Sequence, residues 1–407
     1  MIVRVMGMTR TLCERKIRIR QEIYEMKKTL GHIGVVAVYL LLIWLLNINL
    51  KYEKPADYPM GIEYAKAKVI SVLEDDMGCD PDYEYIRIGR QKLKMEIVSG
   101  NYEGKTVDVI NYVSRTIQTE GQIGDTYIIG SYDGFVTTMI TNYDRSDVLY
   151  ILGILFLALV LWFGKRKGVS AISALFITLV NVVFLFMPLL INGVPAILAA
   201  ILVVLLSTMY TMFVLNGITR KSMIATMCCT LCTAVAGVLA YVVGKVGNIS
   251  TLNTPEAENL LFITENTTFR IDNLLTAGIL IAAMGAVMDT SMSIVSSLYE
   301  IKEQNPNISS KQLFESGLNI GRDIMGTMTN TLVLAFVGAS INSVLVYYMY
   351  SMPYMNLINT DFIVVEMVKG LIGSMAVVFS IPVATVLTVK FMGEEKTNEK
   401  INVASEI

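Results

Sequence analysis

Residues 273–301 read NLLTAGILIAAMGAVMDTSMSIVSSLYEI. No charged side chain occurs from Asn273 to Met288, and the run then meets a single carboxylate, Asp289. A hydrocarbon core about 30 Å thick takes about 20 apolar residues of helix. The stretch therefore predicts a membrane span over 273–297. Along that helix Gly278, Ala282, Gly285, Asp289, Ser293, Ser296 and Glu300 recur at steps of three and four, which sets them on one face. The outer half of this face is small and the inner half polar. Small residues let a second helix approach closely, and polar residues in lipid want buried partners. At about 1.5 Å per residue Asp289 lies about 24 Å into the span, in its inner third. An ionised Asp at a span's centre costs about 2.5–3.5 kcal/mol on the insertion scale. An intramembrane carboxylate is by default a functional candidate, and the alternative is a structural acid bonded to neighbouring hydroxyls.

The next apolar run supplies partners. SGLNIGRDIMGTMTNTL (316–332) puts Asn319, Asp323, Gly326 and Asn330 on one face. Thr327 and Asn330 fall near the depth of Asp289. Asp289, Ser293, Glu300, Thr327 and Asn330 are therefore the candidate ion or proton relay. Arg322, Asp323 and Asn319 are candidate gating or pairing groups, with Arg322 in reach of Asp323 or Glu300; an interfacial anchor pair is the competing reading. Gly278, Gly285 and Gly326 are candidate helix-packing positions. Between the two spans, NPNISSKQLFESGLN (305–319) predicts a short amphipathic helix on the inner membrane face, capped by Ser309 or Ser310.

Eight such apolar runs occur, near 33–50, 147–164, 169–187, 194–215, 222–244, 273–297, 325–349 and 369–391. The composition agrees: 54% of the 407 residues are hydrophobic and 17% charged, against about a quarter charged in soluble proteins. The expected fold is an α-helical bundle of eight transmembrane helices. Lysine and arginine set its orientation. Residues 1–30 hold Arg4, Arg10, Arg15, Lys16, Arg18, Arg20, Lys27 and Lys28, and GKRKG (164–168) and NGITRKS (216–222) are short basic loops. Segment 51–146 has eleven basic and sixteen acidic residues. Both termini are thus expected in the cytoplasm; loop 298–324, close to neutral, is the one weak vote. No small-residue cleavage site follows LLIWLLNINLKYEKP, so the first run reads as a signal anchor. The predicted order is a basic segment 1–30, an anchor 31–50, an extracytoplasmic domain 51–146, seven spans within 147–391 and a cytoplasmic tail 392–407.

Within 55–145 the period changes to two. AKAKVISVL, YEYIRIGRQKLKMEIVSG, KTVDVINYV and DTYIIGSYDGFVTTMIT alternate apolar and polar residues between Gly, Asn and Asp, the pattern of half-buried strands. A domain this small avoids open edges by closing into a barrel-like form, of which an OB-like barrel is one option. Its tyrosines (83, 85, 102, 112, 127, 132 and 143) read as strand packing or as a ligand platform. Glu74, Asp75, Asp76, Asp80 and Asp82 lack the spacing of a calcium loop and read as a solvated turn.

One histidine, His32, and five cysteines limit the chemistry. No Ser-His-Asp arrangement or histidine metal site is expected. Cys228, Cys229 and Cys232 lie in an apolar run without a second ligand pair and read as packing residues, while Cys13 and Cys79 lie apart. No catalytic residue, metal or cofactor is expected, the protein is not expected to be an enzyme, and the basic stretches are explained by topology, so nucleic acid is not an expected partner. Two readings stay open: an ion-coupled transporter or export component working through Asp289, and a non-catalytic assembly or sensor protein whose outer domain binds an envelope partner.

The runs GILIAAMGAVMDTSMSIVSSLYEI (278–301) and SGLNIGRDIMGTMTNTLVLAFVG (316–338) resemble the YibE/F family of multi-pass bacterial membrane proteins. The resemblance extends over nearly the whole chain, as anchor, outer domain and seven spans. It implies a bacterial plasma membrane and carries no settled biochemical function. A more distant resemblance runs to SecD/SecF and RND-type exporters, which place an outer domain after the first span, then an intramembrane Asp, an acidic helix end, an amphipathic inner helix and a threonine-rich span. Asp289, Glu300, segment 308–320 and Thr327, Thr329 and Thr331 follow that order, whereas eight spans and the lack of a second half depart from it. Assembly of two copies, or with a related family member, is the corresponding expectation, beside the lipid bilayer and an envelope ligand.

Overall fold

The computed structural model describes residues 37, 39–41, 43–45, 62–254 and 256–405, and of 265, 266 and 393–405 the backbone alone. The basic start, His32, Cys13 and most of the predicted anchor lie outside the described residues, as do the side chains of the tail. Two compact units are present, one within Lys54–Gly164 and the other within Met1–Glu53 and Lys165–Ile407.

The first unit is a five-stranded antiparallel sheet of β1 (Glu63–Cys79), β2 (Arg87–Ile97), β3 (Thr106–Val113), β4 (Thr126–Ser131) and β5 (Met139–Tyr143). Its order is β3-β2-β1-β4-β5. The alternation read from the sequence is the alternation of burial: β3 switches between exposed and buried at every residue. The inward side chains include Ala67, Val69, Leu93, Met95, Val109, Tyr127 and Ile129. β1 pairs with β2 along most of its length and with β4 along its first half, and bulges after Val69 and Val72 bend it. The two edges, β3 and β5, approach without pairing, so the sheet is a half-barrel.

The loops are tied by polar anchors. Gln91 and Asn111, both buried, bond to Gly121 and Thr119 and pin loop 114–124. Asp133 accepts from the backbone N–H of Val136 and Thr137, and Ser131 Oγ accepts from that of Phe135. This nest holds Phe135 at φ 63° and seats its ring against Tyr102, centroids 5.2 Å apart. Asp80 does not lie in a solvated turn. It is buried and takes two hydrogen bonds from Arg115, at 2.5 and 2.8 Å, while Arg115 also pairs with Asp82.

The second unit is helical. The helices are α1 (Ser146–Ile191, which begins in the first unit), α2 (Ala196–Asn216), α3 (Arg220–Val246), α4 (Ala257–Asn266), α5 (Leu274–Gln304), α6 (Ser310–Ala339), α7 (Ile341–Met349) and α8 (Asp361–Ser405). Five helices are long and apolar enough to cross a membrane, or six if α6 and α7 form one bent span, among the described residues. The protein is a multi-pass membrane protein. Tyr39 donates to Asn181 of α1, whose amide donates to Ser207 of α2.

The helices depart from the predicted spans in three places. Runs 147–164 and 169–187 are joined in one helical stretch, broken at Lys165 with φ 46° and ψ −122° inside the basic GKRKG. Segment 305–319 gives no separate surface helix; from Ser310 it is the first third of α6, capped by Ser309 Oγ accepting from Gln312 N. The run 325–349 is not straight, because α6 and α7 meet at Ser340 with a bend of 66°.

Candidate functional site in the helical bundle

Close packing in the bundle is built on small residues. A Cβ on Gly317 would lie 2.6 Å from Thr385 and 3.1 Å from Leu298, and one on Gly321 would lie 2.1 Å from Ile381. One on Gly373 would lie 2.8 Å from Leu332 and 3.8 Å from Ala283. These contacts align α6 antiparallel to α8, and α5 antiparallel to α6. Leu298 is level with Gly317 and Ala283 with Leu332, so Asp289 is level with Gly326, Ser293 with Arg322 and Gly285 with Asn330.

The buried side of α5 holds Ala277, Leu280, Val287, Ser291, Ile294 and Leu298. It packs on α3, where Cys228 accepts from Ser291 Oγ at 3.2 Å and its sulfur lies 4.0 Å from that of Cys232. Cys229 contacts Thr208 of α2 and the Met284 carbonyl of α5. All three cysteines are buried, and Cys228 and Cys229 join α3 to its neighbours. No group of three or more His, Cys, Asp or Glu among the described residues could hold a metal ion.

The sequence-derived face of α5 is the opposite side. Gly278, Ala282, Asp289, Ser293 and Glu300 are exposed, and Gly285 and Ser296 are half-buried. On α6, Asn319, Arg322, Asp323, Gly326, Thr327 and Asn330 are exposed, opposite the buried Leu313, Gly317 and Gly321. The structure thus keeps each set together on its own helix, at matching depth, but no hydrogen bond joins the two sets among the described residues. Asp289, Ser293 and Asn330 bond to none of the proposed partners. The Thr327 hydroxyl donates to the Ile324 carbonyl within α6. Arg322 donates to Asn319, at 3.0 Å, and not to Asp323 or Glu300. Among the described residues a Cβ on Gly278, Gly285 or Gly326 would meet no atom within 4 Å beyond its own stretch of helix, so none of the three is a close-packing position there. The glycines on which α6 does pack, Gly317 and Gly321, are missed by a search for polar periodicity. Their spacing of four on the apolar side of SGLNIGRD was the available signal.

In the sheet unit a cavity of about 800 Å³ opens at the unpaired seam between β3 and β5, lined among others by Asp108, Asn111, Tyr112, Thr138 and Arg145. Of the tyrosines, Tyr127 is buried against Tyr143, and burial pushes its phenol up to about 12. Tyr112 stays exposed at the cavity.

The sequence model for YibE/F-like proteins matches residues 152–394, which takes in α1 from its second turn through the apolar part of α8 and leaves the sheet outside. No curated protein and no solved structure matches the chain. With more than half of its length matched, and with both the Asp289 and the Asn330 stretches inside the match, the chain belongs to the YibE/F-like protein family.

Proposed function

We propose that the protein is an ion-coupled transporter or export component of the bacterial plasma membrane, with Asp289 as the titrating group. The observation that carries this is the placement of Asp289: within an apolar helix, exposed, and without a hydrogen bond or ion pair among the described residues. A structural carboxylate in lipid would be held by donors. One that is not held can take and release a proton, with Ser293, Thr327 and Asn330 lining its depth and Glu300 nearer the inner end. The reading is non-enzymatic.

The topology that goes with it has eight spans. Ser146–Ile191 is 46 residues, about 69 Å of helix at about 1.5 Å each, more than twice a hydrocarbon core. Two crossings meeting at Lys165 keep GKRKG out of lipid. Run 33–50 and the bent pair α6–α7 complete the eight. Both termini are cytoplasmic, and the half-barrel, whose strand order is that of an OB-like barrel left open at one seam, is outside. Its seam cavity is the place for an envelope ligand.

The test is proton flux into proteoliposomes of the full chain under an imposed pH gradient, followed with an internal pH dye. Wild type and Asp289→Glu should conduct and Asp289→Asn should not. Equal flux in Asp289→Asn would remove the relay role and leave the second reading, an assembly or sensor protein. That reading is favoured by the seam cavity and predicts that Asp289→Asn mainly lowers stability or abundance.

A further inference from the structure

Helices α5 and α6 each carry a polar face that none of the described residues covers. Lipid is a poor neighbour for both, because each side chain there gives up water without gaining a partner. The two faces differ in what they offer. That of α5 has a carboxylate, Asp289, between small residues above and serines below. That of α6 has donors, the Arg322 guanidinium and the amides of Asn319 and Asn330, beside one acid, Asp323. We propose that these faces are the contact between two copies of this chain, α5 of one copy lying against α6 of the other.

Three observations carry the pairing. The first is charge complementarity: an acid with no donor faces a helix whose donors have spare capacity. The second is depth. Two copies related by a two-fold axis along the membrane normal keep every residue at its level. The levels set by Ala283 with Leu332 and Leu298 with Gly317 then place Asp289 opposite Gly326 of the second copy, within a turn of its Arg322, Thr327 and Asn330. Gly285 comes opposite Asn330. The third is room. Gly278, Gly285 and Gly326 leave open space where a Cβ would stand, which lets two helix axes come close. Because both faces lie on one chain, the two-fold makes the contact twice and closes it. Each Asp289 then gains donors that its own chain does not bring to it. The proposal stands apart from the transport reading, since a single copy that conducts protons would overturn it and leave that reading intact.

Disulfide trapping in native-membrane vesicles tests it. Two differently tagged full-length chains are co-expressed, both with Cys13→Ser and Cys79→Ser, one carrying Gly285→Cys and the other Asn330→Cys. Mild oxidation should give a linked species bearing both tags. Pairing the Gly285→Cys copy with a Leu198→Cys copy, on the exposed side of α2, should give none. A Ser293→Cys copy should likewise link to an Arg322→Cys copy, and adding Gly285→Leu to both should abolish that link while the chains remain in the membrane. If the thiols react fully with a small reagent but no doubly tagged species forms, the proposal fails. Linkage of the Gly285→Cys copy to a different protein, or a mass of one chain in lipid nanodiscs, would overturn it as well.

Discussion

Asp133, Asp144 and Asp80 in the sheet unit and Asp289 in the helical bundle carry the same side chain under opposite conditions. Each of the first three is held. Backbone N–H groups and Ser131 keep the Asp133 carboxyl well below the usual range. The Lys66 ammonium, 2.7 Å away, with Ser146, takes Asp144 down to about 2. Arg115 lowers Asp80. Asp289 has no such partner among the described residues, although it lies within an apolar helix. The difference separates two uses of a charge. A carboxylate that organises a loop is held by donors of its own chain, while Asp289 meets none among the described residues. The glycines divide the same way. Gly317 and Gly321 are filled against by α8, whereas Gly278, Gly285 and Gly326 stand open.

The largest effect should come from breaking the closed side. Gly321→Ala drives a Cβ to 2.1 Å from Ile381 Cγ2, and overpacking of this kind costs about 1–3 kcal/mol. Thermal unfolding of the purified full chain should shift to lower temperature, with more than half of the shift recovered by adding Ile381→Ala. A variant that melts like wild type would mean that α6 does not pack on α8 through this glycine.

Next in size is the nest around Asp133. Asp133→Ala removes the acceptor for Val136 and Thr137 and leaves Phe135, at positive φ, held by Ser131 Oγ alone. Loop 131–138 should become the first site of proteolytic cleavage in the sheet domain. An unchanged cleavage pattern would place the anchoring in Ser131 alone.

Acid should act on the sheet before the bundle. The folded pKa of Asp144, about 2, is below the value of about 3.9 for an unperturbed Asp. Its stabilising contribution is therefore complete above about pH 4 and is lost as pH falls toward 2. Asp80 and Asp133 shift in the same direction. Lys66, raised by Asp144, keeps its share up to the alkaline range. Near-ultraviolet tyrosine dichroism of the full chain should be flat from pH 7 to about 5 and fall below about 4. A loss that starts at neutral pH would contradict the held state of these acids.

How much of this was visible in the chain depends on distance along it. Apolar runs of about 20 residues announce spans, and the alternation in KTVDVINYV announces β3, because each pattern is written in consecutive residues. The faces of α5 and α6 were legible for the same reason. What covers a face is not, since periodicity says which residues share a side and nothing about the neighbour. Hence Gly278, Gly285 and Gly326 read as packing positions and stand open. The Asp80–Arg115 pair joins residues 35 apart, and no local pattern marks it. The 66° bend falls at Ser340 in LVLAFVGASINSVLVYY, where the short polar interruption of Ser340, Asn342 and Ser343 is too brief to break a hydropathy run of span length.

The smallest effect, and the sharpest on the contrast between held and open residues, belongs to the open side. Gly285→Ala adds a methyl group that meets nothing within 4 Å and replaces glycine in a helix interior by a better helix former, worth up to about 1 kcal/mol. Asp289→Asn removes a charge that no described donor holds. Neither change should lower the melting temperature of the single chain in detergent, and Gly285→Ala should raise it slightly. A marked loss of stability in Asp289→Asn would mean that a partner in the same chain holds this carboxylate. Asp289 would then belong with Asp133 and Asp144, as a structural acid, and the relay would have to be sought elsewhere on α5 or α6.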